Sequence, residues 1–124
     1  MKNQYKSKSI EDFSYEKSRY IMDFQIAGFR YYDGLEVIDE LVVGSSVDLI
    51  AEAENPYDPE AIAVYYKGLK VGYMPRKQNQ ILSSFLYFGY GNIFEAKILY
   101  VNKETYPEQK IHVVVKIKDN RDRV

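Results

Sequence analysis

Apolar and polar residues alternate along several short segments of this chain, and such alternation is typical of strands that bury one face. Together with short apolar runs bounded by turn residues, it predicts six strands, over residues 20–31, 47–53, 61–66, 69–73, 93–102 and 110–118. The last segment shows the pattern most clearly, because Ile111, Val113, Val115 and Ile117 all fall on one face. The alternation therefore predicts a mainly β domain.

One segment has the periodicity of a helix instead. Four apolar residues there repeat at the spacing of one helical face: Ile81, Leu82, Phe85 and Leu86. A helix is predicted over residues 76–88, beginning after Pro75 and ending at Gly89, and residues 35–42 can form a further turn or two. We expect an α+β chain, mainly β with one clear helix, folded as a small OB-like or SH3-like barrel of about six strands plus one or two short helices.

The length of 124 residues suits a single domain, which we place at residues 19–119. Residues 1–18 are rich in Lys and Ser, with only Ile10 and Phe13 as apolar anchors, and are interpreted as a mobile tail or short docking segment. Residues 120–124 form a C-terminal tail. No apolar run approaches the roughly 18 residues of a membrane span, and no signal-peptide core is present. We expect a cytoplasmic protein without a membrane partner.

Composition narrows the chemistry. The chain has no cysteine, which excludes disulfides, thiolate catalysis and cysteine-ligated zinc. The one histidine, His112, lies opposite Ile111 and Val113 and lacks a second His or Cys with which to share a metal. Thirteen tyrosines stand beside six phenylalanines and no tryptophan. Tyrosine is common on binding surfaces but is also a good strand residue, so composition alone does not decide between these roles.

Charge is segregated along the chain. The net charge is −1, which argues against strong nucleic-acid binding over the whole surface. However, residues 31–60 carry nine acidic side chains and no basic one, whereas residues 61–94 carry four basic side chains and no acidic one. An acidic stretch is therefore followed directly by a basic stretch.

The acidic residues Glu52, Glu54 and Asp58 are close enough in sequence to suggest a site for a hard metal such as Mg²⁺, which prefers oxygen ligands. No basic residue lies near them in sequence to hold a scissile phosphate, and no phosphate loop, nucleophile elbow or zinc-protease helix is present. We therefore expect no catalytic residue, no metal, no cofactor and no enzyme activity. A metal-dependent phosphodiesterase remains the weakest alternative.

Two clusters suggest binding instead. Arg30, Tyr31 and Tyr32 are adjacent, and they combine a phosphate-binding guanidinium with rings that can stack on bases for roughly 1–3 kcal/mol each. On a strand, the two tyrosines would point to opposite faces, so both could reach one ligand only if the strand ends or twists there. The second cluster is the turn Asn55-Pro56-Tyr57-Asp58-Pro59, whose Asn and Asp side chains can instead simply cap backbone amides.

Three runs, AGFRYYDG, AENPYDPEAIAVY and GYMPRK, occur in this order and spacing, and over about residues 20–118 the chain resembles the HIRAN domain. The resemblance implies an OB-like barrel that binds single-stranded DNA and captures its 3′ end. It also implies a site of nine residues: Arg30, Tyr31, Tyr32, Asn55, Tyr57, Asp58, Tyr73, Arg76 and Lys77.

The resemblance assigns a role to most of these positions. The two arginines would contact the DNA backbone, assisted by Lys77, while the adjacent tyrosines flank or hydrogen-bond the terminal nucleotides. Tyr57 would help to line the pocket, and Asp58 would accept a hydrogen bond from the terminal 3′-hydroxyl. The sequence departs from many family members at Ala51, where they have a basic residue before the acidic one, here Glu52. That substitution removes a phosphate contact or a salt bridge.

Two functions follow from these observations. The leading hypothesis is a module that binds single-stranded DNA, with a translocase or another protein as a further partner. The alternative is a protein-interaction module, in which the acidic stretch of residues 31–60 docks a basic partner and surface tyrosines form a hot spot. In better-studied members of the family that the chain resembles, the domain is fused to a DNA translocase and assists fork remodelling. The resemblance does not extend to that role, because these 124 residues contain no ATPase motor, RING finger or nuclease motif.

Overall fold

The computed structural model describes residues 16–104 and 110–121. The tails predicted at residues 1–18 and 120–124 therefore lie largely outside the described residues. The sheet consists of six strands: β1 (Ser18–Gln25), β2 (Ser46–Ala51), β3 (Ile62–Tyr66), β4 (Leu69–Tyr73), β5 (Phe94–Asn102) and β6 (Lys110–Lys118). The helical elements are α1 (Gly34–Val37), α2 (Gln80–Tyr87) and three short 3-10 turns, Phe29–Tyr31, Arg76–Gln78 and Gly91–Ile93.

The strands pair in the order β1-β6-β5-β2-β3-β4, and every pair is antiparallel. The predicted mainly β fold with few helices is confirmed. The sheet is not closed into a barrel. On its open side, a single bridge joins Ala27, just after β1, to Tyr73 in β4 through two backbone hydrogen bonds of 2.8 and 2.9 Å.

The hydrophobic core lies on the face of the sheet that the pattern of β6 predicted. Ile111, Val113 and Val115 are fully buried there, whereas Ile117, at the end of the strand, is partly exposed. His112 lies on the other face, where its ring contacts the edge of Tyr100 at 5.6 Å between centroids. No helix among the described residues is long and apolar enough to cross a membrane.

The first predicted strand is wrong over its second half. β1 ends at Gln25, and after Gly28, whose φ of 72° is left-handed, the chain forms the 3-10 turn Phe29–Tyr31. The reason is that Ile26 and Phe29 are both buried. Residues three apart fall on opposite faces of a strand, whereas the turn brings both side chains into the same core cluster. The argument that a strand separates the two adjacent tyrosines therefore does not apply.

The predicted helix over residues 76–88 is divided. A 3-10 turn, Arg76–Gln78, precedes α2, and the buried Asn79 lies between them. The apolar face is also narrower than the pattern indicated, because Ile81 is 71% exposed and Phe85 is 42% exposed. The turn or two of helix predicted within residues 35–42 is confirmed as the single turn of α1, Gly34–Val37.

Candidate nucleic-acid interface

The turn between β2 and β3 is closed by the side chain of Asn55. Its Oδ1 accepts hydrogen bonds from the backbone amides of Tyr57 at 2.8 Å and Asp58 at 3.1 Å. Its Nδ2 donates to Glu52 Oε1 at 3.1 Å. Asn55 therefore has the capping role that its residue type suggested, and this role fixes the backbone that carries the next two predicted site residues.

Asp58 is held in place by three neighbours. Its Oδ1 accepts from the Glu60 amide at 2.9 Å, and its Oδ2 accepts from Asn79 Nδ2 at 3.0 Å and lies 3.6 Å from Arg76 Nε. The Glu60 amide lowers the pKa of Asp58 most; partial burial opposes this effect, and Asn79 and Arg76 lower the pKa further. Asp58 is therefore an ionised and well-oriented carboxylate at neutral pH.

A second group of polar side chains lies on the other side of the same turn. Lys70 Nζ is 2.8 Å from Glu52 Oε2 and donates to the Tyr73 hydroxyl at 3.0 Å, while that hydroxyl donates to Glu52 Oε1 at 2.7 Å. Partial burial raises the pKa of Glu52, but hydrogen bonds from Lys70, Tyr73 and Asn55 outweigh it and lower the pKa. The Glu52 contact also raises the pKa of Lys70, so both groups are charged.

Asn55, Asp58 and Asn79 from one side and Tyr73 from the other line an open cavity of about 330 Å³. The rings of Tyr32 and Tyr73 meet edge to face in its wall, with centroids 5.5 Å apart. Nine residues line the cavity: Tyr32, Asn55, Pro56, Tyr57, Asp58, Ala61, Tyr73, Met74 and Asn79. Aromatic rings, an amide and a carboxylate thus face one space, which suits a ligand with a flat ring and a hydroxyl group.

Five of the nine predicted site residues line this cavity: Tyr32, Asn55, Tyr57, Asp58 and Tyr73. Arg76 lies at its rim, where Nη2 donates to the Tyr57 carbonyl at 2.7 Å. Arg30 and Tyr31 do not line it. They contact each other, with the guanidinium 4.7 Å from the ring centroid and donating to the hydroxyl. Lys77 is exposed on the 3-10 turn before α2.

Sequence reasoning missed two residues of the site. Asn79 carries no motif signal, because its partner Asp58 is 21 residues away. For Lys70 the sequence provided only a weak indication, because Lys70 belongs to the basic stretch of residues 61–94 that follows the acidic stretch of residues 31–60. Those stretches meet in the fold through three ion pairs, Glu40–Lys67 at 3.8 Å, Glu52–Lys70 at 2.8 Å and Asp58–Arg76 at 3.6 Å.

The carboxylates considered as metal ligands do not assemble. Within residues 16–104 and 110–121, no group of three or more His, Cys, Asp or Glu side chains is placed to hold a metal ion. Glu52 and Asp58 instead have separate cationic partners, Lys70 and Arg76. The phosphodiesterase alternative therefore has no metal-binding cluster in the described part of the chain.

The two lowered pKa values predict a loss of stability in acid. Carboxyl groups with folded pKa values below their unfolded values of about 4 stabilise the fold above that pH, and this contribution is lost as the pH falls through the folded values. Urea denaturation at pH 7 and at pH 3 measures the loss. The variant Glu52→Gln should lose less free energy of unfolding between these pH values than the parent. Equal losses would contradict the role given to the Glu52 contacts.

Comparison with known proteins gives the family. The family model described as the HIRAN domain matches residues 20–118. A Fanconi-associated nuclease 1 homolog from Oryza sativa subsp. japonica is 31% identical over 70 residues, which are 53% of this chain and 7% of that protein. The chain thus spans only a small part of that relative.

Two crystal structures share the fold. A protein from Lactobacillus plantarum superposes with a TM-score of 0.70 at 24% identity, covering 81% of this chain and 94% of that chain. The HIRAN domain of human HLTF superposes with a TM-score of 0.58 at 21% identity, covering 85% and 84%. The motif resemblance is confirmed by a family match that spans most of the described residues, and this chain belongs to the HIRAN domain family.

Proposed function

We propose that this HIRAN domain binds single-stranded DNA and accepts the 3′-hydroxyl end of the strand in the cavity between Tyr32 and Asp58. The family is known from its members as a DNA-binding module. The observation that carries the proposal is the composition of the cavity wall, in which an ionised carboxylate faces the same space as tyrosine rings.

The rings supply affinity for bases without selecting a sequence. A tyrosine presents a flat face on which any base can stack. Tyr32 is held by its edge contact with Tyr73, whereas Tyr57 is 84% exposed at the mouth of the cavity. A terminal base can therefore enter against a fixed wall, while Tyr57 covers it from the solvent side.

Asp58 supplies the preference for a strand that ends in a 3′-hydroxyl. An ionised carboxylate accepts hydrogen bonds only, and each of its oxygens has capacity beyond the amide contact that it already accepts. Its side chain remains 17% exposed, so a ligand hydroxyl can reach it. A 3′-phosphate or an internal phosphodiester would instead place an anion against an anion, which is unfavourable.

Arginine at the rim can hold the preceding phosphate. The Arg76 side chain is 73% exposed, and the five N–H donors of a guanidinium exceed the contacts to the Tyr57 carbonyl and Asp58. Arg30 and Lys77 are also exposed and add positive charge outside the cavity. The three basic side chains therefore lie outside the cavity and Asp58 lines it. A strand that enters with its 3′-hydroxyl first would bring its phosphates to the basic side chains and its hydroxyl to Asp58.

Fluorescence anisotropy with short 5′-labelled oligothymidylates tests the proposal. The strand that ends in a 3′-hydroxyl should bind about tenfold more tightly than the same strand with a 3′-phosphate, because a hydrogen bond to a charged group contributes about 1.5 kcal/mol or more. Binding should weaken as salt is raised. The absence of binding to any single strand at low salt would refute the function, whereas equal binding of both strands would refute only the end preference.

One observation favours the alternative of a protein-interaction module. Helix α2 and the residues after it expose aromatic side chains in mutual edge contact, Phe85 with Tyr90 at 6.4 Å and Tyr87 with Phe88 at 4.8 Å. In contrast, the acidic stretch is partly neutralised by the ion pairs described above. A pull-down that retains a protein partner after nuclease treatment, together with no oligonucleotide binding, would favour this alternative.

A further inference from the structure

The segment that supplies part of the cavity wall is rich in negative charge. Residues 52–60 carry four carboxylates, Glu52, Glu54, Asp58 and Glu60, and one of them, Asp58, lines the cavity. Negative charge beside the cavity opposes the approach of a phosphate. Two of the four are matched by cations within the structure, Glu52 by Lys70 and Asp58 by Arg76.

The two cations differ in their freedom to move. The Arg76 side chain is 73% exposed and lies 3.6 Å from its carboxylate, so it can turn toward a phosphate. The Lys70 side chain is only 24% exposed, and its ammonium is 2.8 Å from Glu52 and 3.0 Å from the Tyr73 hydroxyl. Two of its three N–H donors are therefore used within the protein. These contacts hold the Lys70 ammonium beside Glu52.

Lys70 is also tied to the aromatic wall of the cavity. Its ammonium lies 5.5 Å from the ring centroid of Tyr32 and 4.9 Å from that of Tyr73, within the range of a cation–π contact. Glu52 in turn accepts from the Tyr73 hydroxyl at 2.7 Å. One ion pair thus connects the charge balance of the cavity with the placement of its rings.

We infer that Lys70 is a positioning residue for the strand, which neutralises Glu52 so that an anionic strand can enter beside the wall formed by Tyr73 and Tyr32. The inference rests on the proposed function. In this role Lys70 restores, from β4, a positive charge beside Glu52 that Ala51 does not supply. Its effect on binding comes through the carboxylate, so removal of that carboxylate should make the lysine dispensable.

A charge-balanced pair of variants tests this role. With a hydroxyl-ended oligothymidylate at low salt, Lys70→Met should weaken binding about fivefold, because Glu52 is left as an unpaired anion beside the strand. Glu52→Gln alone should bind at least as tightly as the parent, because the glutamine Oε1 can still accept from the Tyr73 hydroxyl while the negative charge is lost. The double variant, in which neither charge remains, should recover to within about twofold of the parent. Lys67→Met is the matched control, because Lys67 is exposed on the same hairpin and pairs with the distant Glu40.

Two other results for these variants would contradict the role of charge. A double variant that binds as weakly as Lys70→Met, or a Glu52→Gln variant that weakens binding equally, would show that the network acts through structure and would overturn the role of charge. Thermal melting of every variant identifies unfolding, and Glu52→Gln keeps the test valid if Lys70→Met does not fold. A parent that binds no single strand overturns the proposed function itself, which is a distinguishable result.

Discussion

Replacing Gly72 with alanine is expected to lower the free energy of unfolding by about 3 kcal/mol or more, by combining overpacking with backbone strain. Gly72 has a φ of 147°, and an added Cβ would lie 2.4 Å from Ile26 Cγ2 and 2.6 Å from the Ala27 carbonyl oxygen. Neither neighbour can yield easily. Ile26 is 2% exposed in the core, and the Ala27 oxygen accepts the Tyr73 amide at 2.9 Å.

The damage should also reach the binding site. The clash lies beside the bridge between Ala27 and Tyr73, and Tyr73 forms the wall of the cavity with Tyr32. Movement of either strand would break the bridge and displace the wall. We therefore expect Gly72→Ala to melt about 10 °C or more below the parent and to lose oligonucleotide binding at temperatures where it is still folded.

Gly68→Ala is the matched control. Gly68 lies in the same β3–β4 hairpin with a φ of 83°, and a Cβ there would meet no atom within 4 Å. It tests left-handed strain alone, which costs roughly 1 kcal/mol. Differential scanning calorimetry of both variants measures the difference. If Gly72→Ala melts at the same temperature as Gly68→Ala, the close approach of Ile26 is not needed for stability.

Most of the sheet could be predicted because its strands are marked locally, either by alternation, as at Ala96, Lys97 and Ile98 in β5, or by a short apolar run between turns, as in β3, which is buried on both faces. For β6 the predicted bounds of residues 110–118 coincide with the observed ones, and for β3 and β5 they differ by one residue at one end. Both patterns are local properties, so each strand indicates its own burial. The prediction of a strand over residues 20–31 failed after Gln25, where the chain turns and a residue is buried by contacts with other parts of the fold. Phe29 is fully buried by a 3-10 turn that follows the left-handed Gly28, and the local pattern of residues 20–31 does not mark that turn.

The candidate site also depends on contacts between residues that are far apart in sequence. Tyr57 and Asp58 belong to one short run, and Asn55 closes their turn through contacts two and three residues apart, so both line the candidate cavity. The contacts that orient Asp58 and Tyr73 come from Asn79 and Glu52, each 21 residues away. No periodicity or motif records such pairs. Arg30 and Tyr31, which the motif placed in the site, instead contact each other outside the cavity.

Asp58→Asn is expected to reduce the preference for a 3′-hydroxyl over a 3′-phosphate from about tenfold to about twofold or less. The amide removes the charge that repels a phosphate and weakens the acceptor for the hydroxyl, since hydrogen bonds to ionised groups are roughly twice as strong as those between neutral groups. The substitution keeps the size of the side chain, and its carbonyl oxygen can still accept the Glu60 amide. Its new Nδ2 lies where Oδ2 accepted from Asn79, so the Asn79 amide must turn and present its oxygen instead. The fold should still survive better than in Asp58→Ala, which removes the partners of both the Glu60 amide and the buried Asn79 side chain.

Competition anisotropy with the two strands measures this ratio directly, and the ratio is informative because a general loss of affinity cancels from it. Glu54→Gln is the matched control, since Glu54 is an exposed carboxylate of the same segment and does not line the cavity. It changes the net charge by the same amount and should strengthen the binding of both strands equally. An unchanged ratio in Asp58→Asn would assign the end preference to another group. A ratio that falls equally in Glu54→Gln would show that it reflects overall charge rather than a contact with Asp58.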